Sequence, residues 1–427
     1  MSRIPVITLC LSVVPCLNLI AKVPPGFNED EAKVPSYVLP DVLKTTDGKA
    51  VESAAQWQSV RRPEVMRLLE EQMFGKAPAL PKAVRSRISL PPTDAVGGLA
   101  TRWQVTLLLS DRDDGPAMDI LIYLPKSATG PVPLFWGLNF QGNHTVEADP
   151  AIPLARSLQA DTSPPTAKLP KADASTRGAQ QARYPLEIPL KAGFGVATCC
   201  YHDIDPDYDD GFKNGIHALF PEARNDASWG SLATWAWGMR VGLEYFITQK
   251  EIAGDQIICM GHSRLGKAAL WAGATEERFA LVISNDSGCG GAALSKRCFG
   301  ETVGRINTSF PHWFCKNFHQ YNGNEAKLPW DQHWLIATIA PRPVLIHSAS
   351  EDSWADPKGE FLSGVHAGPV YALFGKNGLE TSTMPGIGQA VGESIGYFLR
   401  EGSHDVTAAD WQSYIAFARK HLPAVLR

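Results

Sequence analysis

The sequence predicts an α/β fold, in which a mostly parallel, doubly wound β-sheet lies between two layers of helices. Short apolar runs bounded by polar turns alternate with longer helical runs along most of the chain, and no internal repeat interrupts this order. With 427 residues, 44% of them hydrophobic, the chain can bury a substantial core. We therefore expect a single domain over residues 22–427, with loops inserted at its surface.

The first residues have the pattern of a signal peptide. Arg3 is followed by an uncharged run from Ile4 to Ile20, which Pro5 and Pro15 interrupt. This run is too short and too broken by proline for a membrane span, and no second apolar stretch follows it. Residues 1–21 are therefore predicted to be removed, which leaves a secreted or periplasmic protein without a membrane anchor.

Composition excludes some classes of partner. A net charge of −4 gives no electrostatic reason to expect nucleic-acid binding. Beyond the predicted signal peptide there are six cysteines, at positions 199, 200, 259, 289, 298 and 315. An even number in an exported protein permits disulfides without requiring them, and no Cys/His spacing resembles a metal site. We expect neither a metal nor a cofactor.

The order of elements follows from the hydrophobic pattern. The predicted antiparallel opening strands are Val84–Leu90, Ala100–Leu109 and Asp119–Leu124. The predicted buried strands are Val132–Phe140, Phe194–Tyr201, Ile257–Met260, Phe279–Ser284, Pro343–Ser348 and Ile395–Leu399. The predicted helices are Arg61–Phe74, Leu232–Lys250, one from Lys267, one starting at Pro369–Gly375, and Val406–Leu422.

Two further segments lack this periodicity. Residues 149–183 are rich in Pro, Ala, Ser, Thr and Lys, which is typical of an inserted surface loop. Residues 202–210 contain five aspartates, which raises the question of a calcium site. Because the spacing is not that of an EF-hand, a solvent-exposed loop is the favoured interpretation.

Ser263 lies where a buried strand meets a helix. A serine on such a turn is lifted out of the sheet with the helix N-terminal amides beside it, as in a nucleophile elbow. Gly261 and Gly266 would let strand and helix approach closely, although the second glycine comes one place later than in the usual Gly-x-Ser-x-Gly pattern. From this motif alone, a catalytic serine and an ordinary turn are about equally supported.

A serine nucleophile needs a histidine and a carboxylate. His404 follows the last predicted strand and precedes the last helix, which is the histidine's position in the chain order Ser, acid, His. Two aspartates are candidates for the acid, since Asp352 follows the strand at 343–348 and Asp286 follows the strand directly after the serine turn. The residue pattern leaves both open, with Glu351 and Asp356 less favoured.

Four motifs together resemble carbohydrate esterase family 15, the glucuronoyl esterases, which have the α/β-hydrolase fold. These motifs are Gly261-His-Ser-Arg-Leu-Gly-Lys267, Asp286-Ser-Gly-Cys-Gly-Gly291, Ala340-Pro-Arg-Pro343 and Gly402-Ser-His404. The family's elbow also has its second glycine one place late. The resemblance spans roughly residues 194–422.

The resemblance implies a role for each matching residue. Ser263 would be the nucleophile, His404 the base and Arg264 a stabiliser of the oxyanion, since a guanidinium there meets the developing negative charge. The implied contacts to the uronate sugar are Lys267, Glu301, Arg305 and Trp354. Without the resemblance, Lys267 would be taken for a solvent-facing helix residue.

The chain departs from the family pattern at two places. His262 replaces a cysteine that often forms a disulfide in the family, so that bridge cannot form here. Asp286 stands where many members have glutamate, whereas some bacterial members use an aspartate after the later strand, the position of Asp352. The family match favours Asp286 as the principal acid, with Asp352 in support.

The implied substrate is the ester between (4-O-methyl-)glucuronic acid of glucuronoxylan and an alcohol of lignin. We expect a monomer that acts on this lignin-carbohydrate ester without a cofactor. Two alternatives remain open at this point, namely another carbohydrate esterase such as an acetyl xylan esterase, and a catalytically inactive, carbohydrate-binding relative.

Overall fold

The computed structural model describes residues 27–158, 169 and 171–422. Its ten strands are β1 (Arg85–Ala95), β2 (Ala100–Leu108), β3 (Ala117–Pro125), β4 (Val132–Asn139), β5 (Gly195–Cys200), β6 (Ile252–His262), β7 (Leu281–Asn285), β8 (Val344–Ala349), β9 (Ala390–Gly392) and β10 (Ile395–Arg400). Its α-helices are α1 (Ala54–Gln56), α2 (Arg62–Leu69), α3 (Glu187–Lys191), α4 (Ser231–Phe246), α5 (Arg264–Thr275), α6 (Val303–Ser309), α7 (Gln332–Ala337), α8 (Pro357–Leu373) and α9 (Ala408–His421).

All ten strands form one sheet, in the order β1-β2-β3-β5-β4-β6-β7-β8-β10-β9. The run from β5 through β4, β6, β7 and β8 to β10 is parallel. β1, β2 and β3 are antiparallel to one another, β3 is antiparallel to β5, and β9 is antiparallel to β10. The carboxyl ends of the parallel strands therefore meet at one edge, where α/β enzymes place their sites.

Helices cover both faces of this sheet, because side chains alternate along each strand. Trp136 of β4 belongs to a core cluster on one face, which also contains residues of α4, α5 and α8. Phe135, the preceding residue, packs on the other face with Trp411 and Tyr414 of α9, its ring 5.4 Å from that of Trp411. The expected three-layer α/β sandwich with a mostly parallel sheet is confirmed.

One predicted helix has the wrong start. The prediction began a helix at Pro369–Gly375, whereas α8 begins at Pro357 and contains Pro369 in its interior. Proline is well suited to the first helical turn, where its missing N–H costs nothing, and Pro357 takes that position. Asp356 caps the helix by accepting a hydrogen bond from the Gly359 amide at 2.9 Å.

The described part of the predicted insertion, residues 149–158, 169 and 171–183, has three short 3₁₀ turns but no strand or α-helix. Asp149 pairs with Arg102 of β2 at 2.7 Å, and the Arg183 carbonyl accepts a hydrogen bond from Trp411 at 2.9 Å. Both ends of the insertion thus bind to the sandwich. The predicted signal peptide lies outside the described residues, within which no helix is long and apolar enough to cross a bilayer.

Candidate active site

Ser263 lies on a strained turn between β6 and α5. Its backbone has φ 59° and ψ −130°, in the region that favours glycine, and its amide donates to the Asn285 carbonyl at 2.9 Å. The turn is tight, because a Cβ on Gly261 would lie 2.0 Å from the Leu265 carbonyl oxygen. The predicted strand, turn and helix are confirmed, and the geometry lifts the half-buried Ser263 out of the sheet.

His404 lies on the loop between β10 and α9 and is held by Asp352. Its Nδ1 is 2.6 Å from Asp352 Oδ2, and the two side chains are 40% and 4% exposed, respectively. Facing a carboxylate, Nδ1 carries the proton and donates it to the hydrogen bond. Nε2 is then the basic nitrogen, which is the tautomer that general-base catalysis requires.

Asp286 is close to this pair but does not hold the imidazole, contrary to the sequence-based preference for it. One ligand atom from each of Asp286, Asp352 and His404 lies within 4.8 Å of the others. Asp286 has φ 44°, and its Oδ1 accepts a hydrogen bond from the Ala349 amide at 2.6 Å. The carboxylate is thereby turned toward the end of β8, and Asp352 makes the bond to His404 instead.

The protonation of Asp286 is shifted by its surroundings. Burial raises the pKa of Asp286 well above its usual value, and the charges of Glu360 and Asp352 add to this effect. Its Oδ2 has no hydrogen-bond partner among the described residues, with Arg400 at 3.8 Å and His262 at 3.9 Å. The charged form of Asp286 is therefore less stable than that of an exposed aspartate, which makes Asp286 less suited to stabilise an imidazolium.

His262 packs beside His404. Its ring lies 4.4 Å from that of His404, and its Nδ1 is 2.6 Å from the Asn285 side-chain oxygen. Burial and the neighbouring His404 lower the pKa of His262 well below its usual value. A neutral ring thus takes the place of the family's cysteine, and the six cysteines in the described part of the chain are all unpaired.

Arg264, the residue after the serine, is fixed by contacts on several sides. Its guanidinium makes an ion pair with Asp207 and lies 4.7 Å from the ring centroid of Trp313 and 5.2 Å from that of Phe310. Its Nε is buried and lacks a hydrogen-bond partner within the described residues. The Nε–H group of Arg264 therefore remains available to donate a hydrogen bond near Ser263.

The four residues assigned to sugar binding come together. Lys267 is 4% exposed, so it is not a solvent-facing lysine, and its Nζ donates to the Ser287 carbonyl at 2.6 Å. Burial lowers the pKa of Lys267, while the nearby carboxylate of Glu301 opposes this. The Glu301 amide donates to the Trp354 carbonyl at 2.9 Å, and Arg305 lies 6.0 Å from the Trp354 ring centroid.

The N-terminal segment, which the sequence did not connect with the site, reaches this cluster. The ring of Phe27 stacks on that of Trp354 with centroids 4.9 Å apart and an interplanar angle of 23°. Asn28 accepts a hydrogen bond from the Gly300 amide at 2.8 Å, and Glu29 accepts one from Ser353 at 2.5 Å. Residues 27–29 therefore support the loops that carry Glu301 and Trp354.

The acidic segment at residues 202–210 is not a uniformly exposed loop, as the sequence had favoured. Asp203, Asp205 and the side chain of Asp207 are buried, whereas Asp209 is exposed. Asp207 pairs with Arg264, a contact between residues 57 positions apart. Local composition could not reveal it, because the two partners are far apart in the sequence.

Comparisons with known proteins identify the family to which the chain belongs. A family model described as glucuronyl esterase of fungi matches residues 165–375. Carbohydrate esterase MZ0003, from an unknown prokaryotic organism, is 50% identical over 411 residues, which cover 93% of each chain. A promiscuous CE15 esterase from the marine bacterial metagenome is 49% identical, with a TM-score of 0.85 over 93% of this chain and 100% of that one. A glucuronoyl esterase from Solibacter usitatus is 43% identical, with a TM-score of 0.87 over 92% of this chain and 100% of that one. The chain belongs to carbohydrate esterase family 15, the glucuronoyl esterases.

Proposed function

We propose that this enzyme hydrolyses the ester between (4-O-methyl-)D-glucuronic acid of glucuronoxylan and an alcohol of lignin. The observation that carries the proposal is the 2.6 Å hydrogen bond between His404 and Asp352, beside the strained turn that presents Ser263. A serine, a histidine and a carboxylate in this order can form and hydrolyse an acyl-enzyme.

The reaction follows from the position of each group. Ser263 Oγ attacks the ester carbonyl carbon while His404 Nε2 takes its proton, and Asp352 stabilises the resulting imidazolium. The guanidinium of Arg264 stabilises the negative charge that develops on the carbonyl oxygen. His404 then protonates the departing alcohol. A water molecule that His404 deprotonates attacks the acyl-enzyme, and His404 returns that proton to Ser263 Oγ as the glucuronic acid is released.

The proposed sugar specificity is supported by the cluster around Lys267. Its ammonium has three donors, of which one is used on the Ser287 carbonyl, so two can bind sugar hydroxyls. Glu301 supplies acceptors nearby, and the half-buried indole of Trp354 offers an apolar face to a pyranose ring. An acetyl group would need none of these contacts, which is why we favour a uronate ester over an acetyl ester.

We further propose that the enzyme is exported and acts as a monomer without a metal or cofactor. The sequence of residues 1–21 supports export. A monomer is sufficient, because Ser263, His404 and Asp352 all come from one chain. The lignin alcohol is the leaving group in this proposal, and its proton comes from His404.

The test compares hydrolysis of benzyl glucuronate, methyl galacturonate and an acetylated xylan by the wild type and by Ser263→Ala. We expect kcat/KM to be highest for the glucuronate ester, and activity on all three to be lost in Ser263→Ala. The variant should keep its Tm, since it removes a half-buried hydroxyl without opening a core cavity. Ser382→Ala, which changes an exposed loop serine, is the matched control. A preference for acetylated xylan would favour the acetyl esterase alternative, and activity that persists in Ser263→Ala would refute the nucleophile.

A further inference from the structure

We propose that Asp207 is a positioning residue for catalysis, which holds the guanidinium of Arg264 in the orientation that stabilises the oxyanion. This inference rests on the oxyanion role that the proposed function gives to Arg264. It assigns a purpose to the acidic segment at residues 202–210, for which the sequence suggested no catalytic role.

The Asp207 carboxylate is surrounded by donors. Its Oδ2 accepts hydrogen bonds from Arg264 and from the Tyr201 hydroxyl, the latter at 2.7 Å. Its Oδ1 accepts from His312 Nε2 at 2.9 Å and from Trp313 Nε1 at 2.7 Å. With its side chain 4% exposed, Asp207 contacts water little, so these donors replace its hydration.

The donors also keep Asp207 ionised. Burial alone would raise the pKa of Asp207, but the hydrogen bond from His312 and the charge of Arg264 outweigh burial and lower it well below the usual value. The loop is fixed as well, because the Asp207 amide donates to His202 Nδ1 at 3.1 Å. A charged acceptor thus stands at a set position beside the arginine throughout the pH range in which a histidine can act as base.

Two aromatic rings next to Asp207 also restrict the Arg264 guanidinium by packing against it. Trp313 donates to Asp207 through its indole nitrogen and also lies 4.7 Å from the Arg264 guanidinium. Phe310 stacks on Trp313 with ring centroids 3.8 Å apart and lies 5.2 Å from the guanidinium. Ion pair and rings together fix both the position and the plane of the arginine head.

A fixed guanidinium is worth more to the transition state than a mobile one, because a preorganised charge does not have to reorient as the oxyanion forms. Asp207 also neutralises part of the arginine's charge, which acts in the opposite direction. The two effects make opposite predictions for Asp207→Asn. Loss of orientation lowers kcat, whereas loss of the opposing charge would raise it.

A double-mutant cycle on kcat decides between them, with Asp207→Asn, Arg264→Ala, the double variant and the wild type. We expect Arg264→Ala to lower kcat by about 100- to 1,000-fold and Asp207→Asn to lower it by roughly 10- to 100-fold, with KM little changed. In the Arg264→Ala background, Asp207→Asn should then have almost no further effect on kcat. Asp203→Asn is the matched control, because Asp203 is a buried aspartate of the same segment that bonds to Ser157 at 2.6 Å.

An equal loss of kcat from Asp207→Asn in both backgrounds would overturn the inference, as would an increase in kcat. If Asp207→Asn does not fold, Trp313→Phe removes one donor from Asp207 and keeps an aromatic ring. It should lower kcat several-fold in the wild type and leave kcat unchanged in the Arg264→Ala background.

The cycle is measured on benzyl glucuronate and on p-nitrophenyl acetate, since every ester forms the same kind of oxyanion. Failure of the proposed function is then a separate result, in which the wild type cleaves the acetate and not the glucuronate. The coupling between Asp207 and Arg264 would still appear with the acetate, and its absence from both esters would overturn the inference.

Discussion

Substitution of Asp352 by asparagine should lower kcat by about three to four orders of magnitude. Asp352 Oδ2 accepts a hydrogen bond from His404 Nδ1 at 2.6 Å, in a site where the carboxylate side chain is 4% exposed. An asparagine amide would donate to Nδ1 instead of accepting from it. The imidazole would then carry its proton on Nε2, where it cannot accept the proton of Ser263.

The magnitude has two parts. A hydrogen bond to a charged group is worth roughly 1.5–3 kcal/mol, and about 1.4 kcal/mol corresponds to a tenfold change in rate. Loss of the carboxylate's support for the imidazolium therefore costs about 10- to 150-fold in kcat. The remaining factor comes from the unfavourable tautomer of His404.

Asp286→Asn is the matched control. Asparagine can still accept the bond from the Ala349 amide, which Asp286 receives at 2.6 Å. Because burial and the neighbouring carboxylates raise the pKa of Asp286, its neutral form resembles asparagine in both shape and charge. We expect kcat to fall less than about tenfold, because the substitution leaves the hydrogen bond between His404 and Asp352 in place.

The assay is steady-state hydrolysis of benzyl glucuronate between pH 6 and 9, with circular dichroism to check the fold of each variant. A large loss of kcat in Asp286→Asn, with near-normal turnover in Asp352→Asn, would refute the assignment. A partial loss in both single variants, with a much larger loss in the double variant, would show that the two carboxylates serve one function.

Two further predictions concern binding and pH. Phe27→Ala should raise KM for benzyl glucuronate by roughly 2- to 10-fold, because an aromatic pair such as Phe27 and Trp354 contributes about 0.5–1.5 kcal/mol. KM for p-nitrophenyl acetate should not change, and an equal rise for both esters would contradict a role in sugar binding. Glu360→Gln should raise Tm above that of the wild type by an amount that grows from pH 5 to pH 8, because burial raises the pKa of Glu360 to about 8. Over that range the unfolded chain releases the Glu360 proton at a lower pH than the folded chain does. The free energy of unfolding of the wild type therefore loses the contribution of Glu360 as the pH rises, and that of the variant has no such contribution to lose. A constant difference in Tm would refute this explanation.

The turn at Ser263 and the strands of the sheet could be predicted, because the pattern of apolar and polar residues that indicates them is local in the sequence. Ser263 lies between an apolar run and a helical run, with Gly261 where a side chain would clash with the helix backbone. The position of His404 followed from chain order on a parallel sheet, which depends on topology rather than on side-chain geometry. Such features survive changes in the details of packing.

The choice of acid could not be predicted in the same way. Asp286 and Asp352 follow the adjacent strands β7 and β8, so topology places both near the histidine. Asp286 has a φ of 44° and accepts a hydrogen bond from the Ala349 amide, whereas Asp352 makes the hydrogen bond to His404. The sequence pattern contains no signal for that angle, because Asp is one of several residues that tolerate it.

The burial of Asp207 was missed for a different reason. Five aspartates within nine residues are usually solvated, and the donors that make burial tolerable come from distant parts of the chain. Arg264, His312 and Trp313 lie 57, 105 and 106 positions away from it. A charged residue can be placed in the interior from sequence only when its partners are known.

In the proposed function, the site has one part that breaks the ester bond and another that binds the sugar. Ser263 and Arg264 are consecutive residues, and the Asn285 carbonyl holds the first while Asp207 holds the second. Glu301 and Trp354 lie instead on loops that the N-terminal segment supports through Phe27. Lys267, on the helix that follows Ser263, lies near Glu301 and joins the two parts. Changes in the loops of Glu301 and Trp354 can alter which acyl group is accepted while Arg264 keeps its ion pair with Asp207. We therefore expect relatives that share the serine turn but have different loops to differ more in the esters they accept than in their mechanism.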